Sequence, residues 1–87
     1  MLHAIPQLQD HLIQSAARHG DKIALVCDKK RYTYAELDAQ SNALAHTLVQ
    51  QGVTRGDRVF VFADNSVETV IAFWAVLKAN AVVSVVN

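Results

Sequence analysis

Two short apolar runs constrain this chain more than any other feature. R-V-F-V-F-A at 58–63 and A-V-V-S-V-V at 81–86 have the length of strands and fall short of a buried helix. Between them Val67, Val70, Ile71, Phe73, Trp74, Val76 and Leu77 recur at helical spacing and cover most of a helix circumference, which predicts a buried helix. A strand–helix–strand order with a crossover of this length makes the two strands parallel, and the handedness rule makes the crossover right-handed. Near-continuous apolar strands belong to parallel sheets covered on both faces. The fold class is therefore α/β, and both runs are expected to be strands buried on two sides. Such strands need helices over them and neighbours beside them. The chain has 87 residues and supplies few of either, so a fragment of a larger protein, or a piece that must find a partner, is expected.

The upstream half adds a helix, a small β-hairpin and a second helix. Pro6 suits the first helical turn, where its missing N–H costs nothing. Leu8, Leu12, Ile13, Ala16 and Ala17 follow at helical spacing, and Gly20 is expected as the C-cap, with Arg18 and His19 in the last turn. Ile23 to Cys27 reads as a strand, Asp28-Lys29-Lys30 as a turn and Arg31-Tyr32-Thr33 as the returning arm. Thr33 then caps the second helix, with Glu36 placed for a capping box. Leu37, Leu44, Ala45, Leu48 and Val49 form its apolar stripe, which Ser41 interrupts, and Gly52 ends it. Val53 to Asp57 is a tight connection. Asn65 or Ser66 caps the third helix, Glu68 lies in its first turn, and Asn80 takes the left-handed position at its end.

Composition narrows the partners. Eight Lys and Arg balance eight Asp and Glu, so nothing electrostatic favours nucleic acid or an anionic membrane. Cys27 is the single cysteine, which excludes an intrachain disulfide and a thiolate metal cluster and fits a reducing compartment. The N-terminal M-L-H-A-I-P-Q-L-Q-D lacks the basic and apolar regions of a signal peptide, and the apolar run Thr69 to Leu77 is far shorter than the roughly 18 residues of a membrane span. A cytoplasmic protein without a membrane span is expected.

Candidate chemistry is sparse. Gly20, Gly52 and Gly56 form neither G-x-G-x-x-G nor a P-loop, and caps and turns account for them. His3, His11, His19 and His46 include no i, i+4 pair; His11 and His19 lie about 80° apart round a helix, and surface positions explain all four. Lys29-Lys30-Arg31 reads as a solvated hairpin tip. Phe73 and Trp74 read as core. Asp64-Asn65-Ser66 is the most suggestive cluster, at the carboxyl end of a parallel strand and a helix N-terminus, where open α/β sheets bind ligands and anions. Capping alone also accounts for all three residues.

Three segments, in order, resemble the N-terminal part of the adenylate-forming enzymes: acyl- and aryl-CoA synthetases, nonribosomal peptide synthetase adenylation domains and luciferases. They are Y-T-Y-A-E-L-D-A-Q-S-N-A-L-A-H-T-L from Tyr32 to Leu48, G-V-T-R-G-D-R-V-F-V-F-A-D-N-S-V-E-T-V-I-A-F-W-A-V-L-K-A-N-A from Gly52 to Ala81, and V-V-S-V-V-N from Val82 to Asn87. Arg18 to Val26, R-H-G-D-K-I-A-L-V, is similar to the family's opening strand. Asn80 stands where the family usually has Gly.

The resemblance implies that residues 1–87 are a partial N-terminal subdomain of an AMP-dependent ligase. The parent would use ATP and Mg2+ to make an acyl-adenylate, then pass the acyl group to CoA or to a carrier protein's phosphopantetheine. The family's phosphate loop, its Tyr/Thr/Glu motif, its ribose-binding Asp and its catalytic Lys match nothing in this chain. No catalytic, cofactor-binding or metal residue is therefore carried over, and the segment alone is expected to be inactive. Its partner would be the remainder of the ligase, and exposed sheet edges predict self-association. Two other expectations stand beside this one: a stand-alone interaction module that completes its sheet with another chain, and a small nucleotide-binding domain built on Asp64-Asn65-Ser66.

Overall fold

The computed structural model describes residues 8–27, 29–62 and 66–86. Their order is α1 (Leu8–His19), β1 (Ile23–Cys27), β2 (Lys30–Thr33), α2 (Tyr34–Gln50), β3 (Arg58–Phe62), α3 (Val67–Lys78) and β4 (Val82–Val86). β1 and β2 form an antiparallel hairpin, with an irregularity between Ile23 and Leu25. β3 and β4 pair in parallel, Phe60 opposite Ser84 and Val61 opposite Val85. The two pairs remain separate two-stranded sheets. The expectations at Pro6, Asp28, Asp64 and Asn65 lie outside the described residues.

Local sequence sets the helix ends. Thr33 closes a capping box on α2: its Oγ1 accepts from the Glu36 N–H at 3.1 Å, and its own N–H donates to Glu36 Oε1 at 2.8 Å. Ser66 caps α3, its Oγ accepting from the Thr69 N–H at 3.3 Å. Both helices end in a Schellman motif. In α2 the Gly52 N–H donates to Val49 O and the Val53 N–H to Leu48 O; in α3 Asn80 donates to Leu77 O and Ala81 to Val76 O. The left-handed residue is Gly52 at φ 101° in the first and Asn80 at φ 61° in the second. In each motif the paired apolar residues, Leu48 with Val53 and Val76 with Ala81, join one core cluster.

The connection 54–57 is a tight turn in which Gly56, at φ 86°, takes the position that requires a left-handed residue. Asp57 Oδ2 accepts from both the N–H and the hydroxyl of Thr54, and the Asp57 N–H donates to Thr54 O. The turn is also tied to the far end of α3: Gly56 N–H donates to Asn80 O, and Val82 N–H donates to Asp57 O at 2.7 Å. The entries to β3 and β4 are thereby held side by side.

Gly20 does follow α1, but its φ is not left-handed. What it supplies is closeness. A Cβ there would lie 2.8 Å from Ala16 O and 3.4 Å from the Ala35 Cβ, and Gly20 O accepts from the Ala35 N–H. The end of α1 and the start of α2 touch through the space a side chain would fill.

The core lies where α2 and α3 meet and extends to one face of the β3–β4 sheet. Ala45, Ala75 and Ala79 form the helix–helix part, with Leu44 and Leu48 packed against it; Val61, Val76 and Ala81 form the part beneath the sheet. Several sequence expectations change here. Ser41 does not interrupt the α2 stripe: it is fully buried between Leu37 and Ala45. Val49, Leu8 and Ile13, expected on apolar faces, are exposed. α3 is half-buried along most of its length, with only Ala75 and Val76 fully enclosed. β3 and β4 are not covered on both faces: Phe60 is 60% and Phe62 75% exposed. Apolarity predicted two covered faces; among the described residues the packed helices cover one.

Candidate functional site

Two places bring polar groups together. The first is the carboxyl end of β3, where a cleft of about 320 Å³ runs between α2, β3 and the first turns of α3. Leu44, Leu48, Val61, Ala72 and Val76 make its floor, and Ser66, Glu68 and Thr69 supply its polar edge. This is the position at which open parallel sheets take ligands. Ser66 is already engaged as the α3 cap, with Thr69 as its partner. Capping is one of the two roles that the sequence of Ser66 allowed.

The second place was not singled out by sequence reasoning. Lys78, in the last turn of α3, extends across to the first turns of α2. Its ammonium donates to Asp38 Oδ1 at 2.5 Å, Ser41 Oγ at 2.7 Å, Asn42 Oδ1 at 2.8 Å and Asp38 O at 3.1 Å. The Lys78 side chain is 6% exposed and that of Asp38 23%. Ser41 completes its own bonding by donating to Leu37 O at 2.7 Å. A buried charge is tolerable only when paired and fully hydrogen-bonded, and this one meets both conditions. The arrangement joins the two helices. Two signals in the sequence pointed to it: Ser41, a hydroxyl on an otherwise apolar stripe, and Lys78, a charge on an otherwise apolar helix.

The remaining candidates disperse. His11, His19 and His46 are exposed and far apart in the chain. Among the described residues no group of three or more His, Cys, Asp or Glu is placed to hold a metal ion. Lys29, Lys30 and Arg31 are exposed at the hairpin tip, with Lys29 at φ 67°. Phe73 and Trp74 meet edge to face with ring centroids 5.4 Å apart. Among the described residues no helix is long and apolar enough to cross a membrane.

The segments that carried the family resemblance are therefore used at joints: the capping box, the Lys78 cage, the two Schellman ends and the Thr54–Asp57 turn. The description "AMP-binding enzyme" matches residues 12–87. The chain belongs to the AMP-binding enzyme family. It is 40% identical over 83 residues to a medium/long-chain-fatty-acid–CoA/3-oxocholest-4-en-26-oate–CoA ligase of Mycobacterium marinum, a match covering 95% of this chain and 14% of that ligase. It is 43% identical over 75 residues to triostin synthetase I of Streptomyces triostinicus, covering 86% of this chain and 14% of the synthetase. The N-terminal subdomain of Klebsiella oxytoca NpsA superimposes with a TM-score of 0.87 at 34% identity, over 92% of this chain and 21% of that one. The chain spans about a seventh of the length of these curated relatives. The mixed α/β arrangement expected from sequence, with its hairpin and parallel strand pair, is the arrangement found.

Proposed function

We propose that residues 1–87 are framework from the N-terminal subdomain of an ATP-dependent ligase that activates a carboxylic acid in the cytoplasm. In the parent reaction a carboxylate oxygen bonds to the α-phosphorus of ATP and pyrophosphate leaves. A thiol sulfur, from CoA or a carrier protein's phosphopantetheine, then bonds to the acyl carbon and AMP leaves. ATP and Mg2+ would be held by the rest of the ligase, and this segment contributes no catalytic, nucleotide or metal residue. Its work is mechanical. Helix α3 and the parallel strands form a braced corner on which the remainder of the ligase is built.

The observation that carries this reading is the use to which the family-like residues are put. Thr33, Glu36, Asp38, Ser41, Asn42, Gly52, Asp57, Lys78 and Asn80 are all spent on caps, turns and the inter-helix cage. The test is ATP–pyrophosphate exchange. The 87-residue chain should give no exchange above background with any carboxylic acid, whereas the ligase containing it should exchange with its own acid. Acid-dependent exchange by the short chain would overturn the proposal.

A second reading is favoured by one observation, the exposure of Phe60, Phe62 and Val82 beside edges of the β3–β4 sheet that no other described strand pairs. Exposed edges and apolar faces drive strand addition. On that reading the chain is an interaction module that completes its sheet with another chain, and by itself it self-associates. Sedimentation at rising concentration tests this reading: a monomer at all concentrations counts against the module.

A further inference from the structure

We infer that Lys78 acts as a register pin, a positioning residue that selects one alignment of α3 along α2. The reason lies in what else the two helices share. Their contact includes buried small residues one turn apart, Ser41 and Ala45 on α2, Ala75 on α3 and Ala79 at its C-cap, with Leu44 and Leu48 packed beside them. Small residues let the helices approach closely, but they mark position weakly. A slip of one turn still sets a small residue against a small residue, so these small residues discriminate poorly between alignments. Lys78 discriminates well. Its ammonium meets three side-chain oxygens and one carbonyl, all from positions 38–42 of α2. A one-turn slip moves it by about 5.4 Å, away from every one of them. The charge would then lie in an apolar contact without partners, which is the situation a buried ion resists most strongly.

Two further features fit a pin better than a general fastening. The cage joins the C-terminal end of α3 to the N-terminal half of α2, with every acceptor in one short stretch of that helix. The residue also sits two positions before the Asn80 turn, whose carbonyl receives the Gly56 N–H. Fixing Lys78 along α2 thereby fixes where β4 begins beside β3. The inference does not depend on the ligase reading.

The test is nuclear magnetic resonance on the full chain with labelled alanine methyl groups. The Lys78 chain should give one resonance each for Ala75 and Ala79, with cross-peaks to Ala45. Lys78→Met, and Lys78→Met combined with Asp38→Leu, remove the charge and, in the second case, its counter-ion. Both should keep their helical far-ultraviolet signal and show a second set of Ala75 and Ala79 resonances at about 10% or more of the population, with altered cross-peaks. A residue that merely adds stability would lower the melting temperature without duplicating resonances. A single set of resonances in both variants overturns the inference. Loss of helical signal in both overturns it as well, because the lysine would then be needed for folding rather than for alignment.

Discussion

The α2–α3 contact and the outer face of the β3–β4 sheet both draw on apolar side chains, yet they end in opposite environments. The helix contact encloses small side chains and one caged ammonium: Ala75 is fully buried, Val76 is 1% exposed and Lys78 6%. The sheet's outer face leaves large ones in solvent, Phe62 at 75%. Residue type therefore does not rank burial here. A lysine side chain is more enclosed than a phenylalanine, because burial depends on which surfaces meet and because pairing and hydrogen bonds offset the cost of taking a charge out of water. The helix contact is complete within the chain; the outer sheet face is where a neighbour would fit.

That contrast can be broken most forcefully at Asp38. Asp38→Ala leaves the Lys78 ammonium enclosed without its counter-ion, and urea unfolding should register a loss of about 2–4 kcal/mol, somewhat below the full cost of a wholly buried pair because Asp38 retains some solvent contact. A loss under ~0.5 kcal/mol would mean that the ammonium finds water instead of its cage. Next in size is Thr33→Ala, which removes half of the capping box and should cost roughly 0.5–2 kcal/mol in the same measurement. Asn80→Gly should run the other way. It relieves the left-handed strain at φ 61°, and thermal melting should show a gain of about 0.5 kcal/mol, provided the Schellman bonds remain. The smallest effect on stability belongs to the outer face: Phe62→Ser should alter unfolding by no more than about 0.5 kcal/mol. The same change should reduce self-association in sedimentation, and a large loss of stability would show that Phe62 is packed after all.

Much of the fold was legible from short-range signals. Thr33 with Glu36, Ser66, Gly52 and Asn80 act within a few residues of themselves, so their roles as caps and left-handed ends follow from identity and spacing. The strand–helix–strand order follows from periodicity in the same way. The candidate site was less legible. Asp38, Ser41 and Asn42 lie some forty positions from Lys78, and no local pattern links them. Ser41 looked like a break in an apolar stripe because its partner lies on another helix. Gly20 looked like a left-handed cap, whereas its value lies in the approach of Ala35, a contact that only the packing of α1 on α2 creates.

The sequence by itself determined the elements and the ends of α2 and α3, since hydrogen bonding and backbone sterics act over a few residues, and the strand–helix–strand order made the β3–β4 pairing parallel. Tertiary structure alone decided which apolar faces were covered and that Lys78 would be caged rather than solvated. Burial and charge pairing are properties of two surfaces brought together, and one stretch of sequence specifies only one of them.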